Sequence, residues 1–464
     1  MTSERLPHKG RLLAVLLMGP LMAQADATIA NVATPSIHAG LGASGAALEL
    51  VVGGYMIAFA VLLITGARLG QSHGYRRVFV AGVAIFTLAS VACGLAPTPA
   101  LLVAARVVQG AGAALMFPQT LTGIQIAFEG AERARAIGLY AIALSSGAVA
   151  GQILGGGLIS LDVLGAGWRA IFLVNAPIGA AVAVAALRHL PGDDERANRQ
   201  VDVPGVATLS AAIVLVVLPL VLGRAEGWPA WAWISLAASV PAAAVFVAIE
   251  RRIAARGGAP LMNLGAIARP TVSWSLVALL LATGTYYALL FTLAQYLQHG
   301  LGRGPFVSGL TLVPWVAAFG VAGQVVRRLP DRVRPLVPSA GCALLAAAYV
   351  TISAALFAGR HGEALLLVVL AAGDLGLGLQ FSALIAHVSN AVPSRYAPDI
   401  SGVSTTLMQI GGTIGVAAFG TLYFDLAGGG ASHAFAIVAA ALAAAALLAA
   451  GAAYRSTASE RAKW

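Results

Sequence analysis

Residues Leu12–Ser36 read LLAVLLMGPLMAQADATIANVATPS, a run whose single charged residue is Asp26. At a helical rise of about 1.5 Å per residue, the run is long enough to cross a hydrocarbon core of ~30 Å. A carboxylate inside such a helix costs about 2.5–3.5 kcal/mol even on the mildest scale. It persists where it pairs, titrates or faces a water-filled path. Asp26 therefore points to a protein that moves something across a membrane.

The rest of the chain agrees with that reading. Of 464 residues, 59% are apolar and 10% are charged, against about 25% charged in soluble domains. The net charge is +10, but the basic residues do not gather in a soluble module, so nucleic acid is not an expected partner. Only Lys9 and Lys463 are lysines, and the Ala-, Gly- and Arg-rich usage suits a bacterial source. Cys93 and Cys342 stand far apart in apolar stretches, which suggests neither a disulfide framework nor a metal site. No cofactor is expected. Residues 1–25 have the basic head and Ala23-Gln24-Ala25 ending of a signal peptide. The apolar pattern nevertheless continues to about Ile37, and cleavage would leave Asp26 at a new terminus. The expectation is a retained first span.

Fourteen stretches have membrane-span length: roughly 12–36, 47–68, 78–96, 99–126, 136–160, 169–187, 204–223, 231–250, 271–298, 306–326, 336–357, 364–389, 401–425 and 433–454. The longest polar connection, 188–203, contains Asp193-Asp194-Glu195-Arg196. With the N-terminus inside, 23 of the 28 basic residues fall in cytoplasmic segments, four fall outside, and Arg106 lies within a span. The positive-inside rule then places both termini in the cytoplasm.

Arg106 is the second costly residue. Counting up the first span puts Asp26 about 22 Å from the inner end, and counting down the fourth puts Arg106 about 10 Å from the outer end. The two can meet at one height in a ~30 Å core. A carboxylate beside an arginine stays ionised and, drawn away, takes up a proton; that is the requirement for coupling proton binding to a conformational change. A static ion pair is the alternative. Asp374 lies about 15 Å into the twelfth span, in Gly373-Asp374-Leu-Gly376-Leu-Gly378, where small residues permit close helix approach. Glu49 and Asp425 lie near span ends and His387 near the inner end of the twelfth. In the fifth span, Gly147, Gly151 and Gly155 recur every four residues, followed by Gly156. They form a face against which another helix packs, slides or rocks.

Together these stretches resemble the major facilitator superfamily, in particular its fourteen-helix drug:proton antiporter branch. Asp26-Ala-Thr-Ile-Ala-Asn31-Val-Ala-Thr-Pro35 resembles that branch's helix 1 motif. Gly66-Ala-Arg68-Leu-Gly70-Gln71-Ser-His-Gly74-Tyr-Arg76-Arg77 is similar to the helix 2–3 gating loop, and Ala105-Arg106-Val-Val-Gln109-Gly110-Ala-Gly112 to the helix 4 motif. Gly147–Gly156 resembles the helix 5 antiporter motif, and Trp168–Gly179, with Phe172, Asn175 and Pro177, resembles the start of helix 6. Two positions depart from the pattern. Gln71 stands where the loop motif has an acid, which exchanges a charge-assisted bond for a neutral one about half as strong; the expected result is a smaller bias toward the outward-facing state. Gln152 replaces the proline after Gly151.

The resemblance implies an all-α integral membrane protein of 14 transmembrane helices. Residues 1–190 and 257–464 would form two six-helix bundles of inverted three-helix repeats, with two extra helices in 191–256. It implies a substrate cavity at mid-membrane, with Asn31, Gln109, Tyr55, Tyr286, Tyr287 and Phe291 as candidate lining residues. Asp26, Arg106, Asp374 and Glu49 become candidate proton-coupling or substrate residues. The leading expectation is a proton-coupled exporter of amphipathic small molecules, cationic ones among them, working as a monomer in a bacterial plasma membrane. A lipid or dedicated-metabolite transporter, for export or uptake, is the alternative. A membrane-embedded enzyme is disfavoured, since H-E-x-x-H and G-x-x-x-x-G-K are absent. A sensor is disfavoured too, since no signalling domain is attached.

Overall fold

The computed structural model describes residues 9–162, 165–192, 203–223, 226–258, 260, 262, 264–330, 332–360, 362–391 and 397–458. The side chains of Asn31 and Glu49, and the acidic run Asp193–Glu195, lie outside the described residues. Among the described residues all regular structure is helical. Helices α1 (Lys9–Leu41), α2 (Gly45–His73), α3 (Tyr75–Gly94), α4 (Pro99–Ala127), α5 (Gly130–Ser160), α6 (Ala170–Leu173) and α7 (Asn175–His189) come first. They are followed by α8 (Val203–Leu222), α9 (Ala230–Ala255), the short α10 (Leu264–Ile267), α11 (Pro270–Gln295), α12 (Pro305–Leu310) and α13 (Val313–Arg328). The chain closes with α14 (Val337–Phe357), α15 (Glu363–Ala391), α16 (Ala397–Ala427) and α17 (Ala431–Ser456). Two compact units emerge: Met1–Gly151 with Leu158–Val201, and Gln152–Gly157 with Asp202–Trp464.

Thirteen spans among the described residues are long and apolar enough to cross a membrane, and Ala317–Val326 is a shorter apolar run. The chain is thus a multi-span, all-helical membrane protein. Two expected spans are interrupted, each four residues before a proline. Proline has no N–H and its ring crowds the carbonyl four residues back. Pro314 crowds Leu310, where α12 ends; Pro177 crowds Leu173, where α6 ends. The sixth span consequently runs as a 3-10 turn at Gly167–Arg169, then α6, then α7. The tenth is divided between α12 and α13, which leaves its apolar run short.

Lipid offers no hydrophobic drive for helix association, so close packing of small residues must supply it. In the first unit α4 lies along both α2 and α3. A Cβ added at Gly66 would sit 2.1 Å from the Ala114 carbonyl oxygen, and one at Gly110 2.4 Å from that of Tyr55. Gly82 and Gly112 face each other in the same way between α3 and α4. Gly74 ends α2 and starts α3 at φ 94°, a left-handed geometry that favours glycine. In the second unit α11 packs on α16, α15 on α13 and α14, and α14 on α17. Gly284 and Gly415 bring α11 and α16 together, since a Cβ at Gly415 would lie 2.1 Å from the Gly284 carbonyl oxygen. The two extra helices, α8 and α9, pack on each other, and α8 also touches α16.

Candidate functional site

The first unit buries a charged cluster at the crossing of α1, α3, α4 and α7. Asp26 and Arg106 form a direct ion pair, with neither side chain exposed. Asp26 Oδ2 accepts from Arg106 Nη1, while Oδ1 accepts from Gln109 Nε2 at 2.8 Å and Asn175 Nδ2 at 3.0 Å. Gln109 and Asn175 also donate to Ser90 Oγ, at 2.6 and 3.3 Å. Arg106 donates through Nη1 to Gln109 Oε1 at 2.7 Å and through Nε to the Val51 carbonyl at 2.9 Å. Its guanidinium lies over the Tyr55 ring, 4.4 Å from the centroid, and 5.6 Å from that of Phe172. Ring faces attract a cation, more strongly where water is excluded. Tyr55 is itself held by its hydroxyl, which donates to the Ala23 carbonyl at 2.8 Å.

Helical spacing assembles the site. Arg106 and Gln109 are three apart on one face of α4, so both reach the same carboxylate. Ile29, Ala33 and Ile37, further along α1, join Val51, Leu102, Trp168, Ile171 and Phe172 in an apolar cluster. That cluster lies toward the C-terminal end of α1. The ion pair therefore sits in a water-poor pocket, where its mutual attraction is strong and the loss of either partner is costly.

The glycine face of α5 packs on the segment of α1 that carries Asp26. A Cβ at Gly147 would meet the Leu21 carbonyl oxygen at 2.6 Å, and one at Gly151 the Ala25 carbonyl oxygen and Thr28 Oγ1, both at 2.2 Å. Thr28 donates across this seam to the Ala148 carbonyl at 2.8 Å. Gly155 is buried and Gly156 half-buried. Gln152 Oε1 is buried without a hydrogen-bond partner among the described residues. In the gating-loop motif, Arg68 Nη1 donates to Gln71 Oε1 at 2.6 Å, and the Arg76 guanidinium donates to the Leu187 carbonyl at the end of α7. Arg77 is exposed.

In the second unit Asp374 is fully buried on α15, and neither carboxyl oxygen has a hydrogen-bond partner among the described residues. Trp315 of α13 and Tyr349 of α14 lie beside it. Packing around it is tight: a Cβ at Gly376 would meet the Gly341 carbonyl oxygen at 2.5 Å, and one at Gly378 the Ala322 Cβ at 2.6 Å. Tyr286 is buried between Tyr287 and Trp315, with ring centroids 5.0 Å from each. Tyr287 donates to Gln409 Oε1 at 3.4 Å, and Phe291 packs on Phe424.

The structure thus joins Asp26, Arg106, Gln109 and Tyr55 in one cluster and places Asp374, Tyr286, Tyr287 and Phe291 in the other unit. Ser90 and Asn175 complete the Asp26 cluster without having been singled out as site residues. Asn175 carried a signal, being a polar residue inside the apolar sixth span. Ser90 is small enough to pass as a packing residue and carried none. Among the described residues no group of His, Cys, Asp and Glu is suited to hold a metal ion.

A family model described as Major Facilitator Superfamily matches residues 16–416. The chain is 38% identical over 421 residues to a probable actinorhodin transporter of Streptomyces coelicolor, covering 90% of this chain and 72% of that one. It is 36% identical over 408 residues to the cephamycin export protein CmcT of Amycolatopsis lactamdurans, covering 86% and 81%. It is 32% identical over 408 residues to the multidrug resistance protein Stp of Mycobacterium tuberculosis, covering 87% and 74%. Among solved structures, the proton:xylose symporter XylE superposes with a TM-score of 0.66 at 12% identity, covering 95% of this chain and 94% of that one. That last likeness concerns the fold alone.

Proposed function

The chain belongs to the major facilitator superfamily, and we propose that it is a proton-coupled exporter of the fourteen-helix drug:proton antiporter branch. It is a membrane transporter and not an enzyme. The relatives named for actinorhodin, cephamycin and multidrug resistance support export of small amphipathic molecules. Proton coupling and antiport rest on the site.

The observation that carries the proposal is the water-poor Asp26–Arg106 pair, tied to α3 and α7 through Gln109, Asn175 and Ser90. With Asp26 ionised, α1 and α4 are locked by charge-assisted bonds, about twice as strong as neutral ones. A proton on Asp26 removes the charge, weakens that lock and leaves Arg106 to its neutral partners. The state with the pair closed and the state with it open then bind protons differently, and a proton gradient can bias a change between them only through such a difference. The seam of α5 on Leu21–Thr28, with no side chain on the Gly147 and Gly151 side and one bond from Thr28 across it, gives α1 a close surface to shift against. Asp374 is the second acid of the scheme, in the other unit.

The test is transport by purified protein in liposomes with an imposed pH gradient, using actinorhodin, tetracenomycin C and ethidium as probes. Gradient-driven accumulation of at least one, lost in Asp26→Asn, is the expected result. Accumulation that ignores the gradient would overturn the coupling. A narrower reading, an exporter dedicated to one metabolite, is favoured by relatives named for single compounds: actinorhodin, cephamycin, and a tetracenomycin C resistance and export protein. The same probe set separates the readings, since a dedicated exporter moves one probe and rejects the rest.

A further inference from the structure

The second unit also holds a crevice whose lining does not include Asp374. It lies between the end of α11, its following turn Tyr296–Gly300, α12, α14 and α15, with a volume of about 270 Å³. Its walls are apolar: Leu310 and Leu365 flank it, and Tyr296 and Phe435, stacked with centroids 4.9 Å apart, contribute to its lining. Among the described residues its only charges are Arg303 and Arg360. Both belong to chain turns just beyond helix ends. Arg303 follows Gly302 at φ 66° and donates its N–H to the Leu297 carbonyl; Arg360 follows Gly359 at φ 68° and donates its N–H to the Ala355 carbonyl. The basic-residue asymmetry assigns these turns to the outer membrane face.

We propose that this crevice binds an anionic phospholipid of that leaflet, the phosphate between Arg303 and Arg360 and an acyl chain along Leu310 and Leu365. Charge complementarity is the first argument. Arginines are the residues suited to phosphate, because a guanidinium presents five donors in a fork that matches it. The second argument is the order of polarity. Helix C-termini by themselves favour a cation, but that does not place two of them over a shared apolar crevice. Leu310 and Leu365, 46% and 40% exposed, would face acyl chains. From Phe357 down to Thr351, which also lines the crevice, α14 descends about 9 Å, so the lining reaches below the headgroup level. Basic pockets between transmembrane helices on the cytoplasmic side hold lipid headgroups by this combination, and the same chemistry applies to an anionic lipid of the outer leaflet. The size is modest beside drug-sized pockets of about 300–1,000 Å³, which favours one headgroup and part of a chain over a bulky cargo.

The test is native mass spectrometry of the full chain released from detergent, after incubation with equal amounts of dioleoyl phosphatidylglycerol and dioleoyl phosphatidylcholine. Two arginines near the surface predict a preference for phosphatidylglycerol of about thirtyfold. Arg303→Gln with Arg360→Gln should bring the ratio close to one, while Leu310→Trp should lower retention of both lipids. Equal retention of the two lipids by the unaltered protein would overturn the proposal, whether or not the variants fold. So would a preference that survives the double substitution in protein eluting as a single species. Binding of sn-glycerol 3-phosphate as tightly as the lipid would make this a free-anion site and overturn the lipid assignment.

Discussion

Replacing Asp26 with asparagine removes one proton-bearing oxygen and little volume, so its effect isolates the charge. Asp26 Oδ1 faces two donors, Gln109 Nε2 and Asn175 Nδ2, and Oδ2 faces a third, Arg106 Nη1. An asparagine has one carbonyl oxygen and one amide nitrogen. Whichever way it turns, a donor meets a donor on one side. Arg106 is then buried with only neutral acceptors, Val51 O and Gln109 Oε1. Breaking a buried pair from one side costs about 3–5 kcal/mol, mostly the uncompensated charge. Adding Arg106→Gln removes that charge and should recover about half of the loss, because a neutral pair of similar volume needs no counter-ion. Unfolding by SDS titration in mixed micelles, followed through the fluorescence of the seven tryptophans, gives the four corners of the cycle. With Arg106→Gln alone also costing about 3–5 kcal/mol, the coupling should be about 4.5–7.5 kcal/mol, with the double variant more stable than Asp26→Asn alone. A single variant within about 1 kcal/mol of the unaltered protein, or a double variant showing the sum of both losses, would refute it.

Asp374 should behave differently: among the described residues its buried carboxyl forms no ion pair and has the Trp315 side chain beside it, so Asp374→Leu should stay within about 1 kcal/mol of the unaltered protein in the same titration, while transport per proton changes. A loss of stability as large as that of Asp26→Asn would show that Asp374 is held by bonds. Gly151→Ala would bring a methyl group to 2.2 Å from the Ala25 carbonyl, forcing α1 and α5 apart; we expect about 1–3 kcal/mol of destabilisation and transport slowed more than tenfold in liposomes, with membrane insertion intact. Gln71→Asp should turn the bond from the Arg68 guanidinium to a neutral amide oxygen into an ion pair. Hydrogen–deuterium exchange of the segment joining α2 and α3 should slow, and unchanged exchange would contradict that role for position 71.

Hydropathy and length made most of the helices legible, because a ~30 Å core allows few alternatives to a run of about 20 apolar residues. The meeting of Asp26 and Arg106 was legible for the same reason: a fixed rise per residue converts position into depth, and two opposite charges at one depth have few other partners. Three things were not. The interruption of the tenth span at Pro314 and of the sixth at Pro177 escapes a hydropathy window, which treats proline as one more weakly polar residue. Pro118 and Pro219 stand inside unbroken helices, so a proline in the sequence does not itself announce a break. The second layer around Asp26, made by Ser90 and Asn175, depends on how α3 and α7 rotate against α1, and helix rotation is set by side-chain packing rather than by composition. The crevice at Arg303 and Arg360 joins residues nearly sixty positions apart, and the sequence shows only two arginines in separate loops.

The central claim is that Asp26 carries the coupled proton. The direct measurement is substrate-induced proton movement in liposomes at zero membrane potential, with a pH dye inside and a transported probe added outside. The account predicts a pH change on probe addition for the unaltered protein and none for Asp26→Asn, even where that variant still equilibrates the probe down its concentration gradient. A pH change of the same size in Asp26→Asn would place the coupled proton elsewhere and contradict the account.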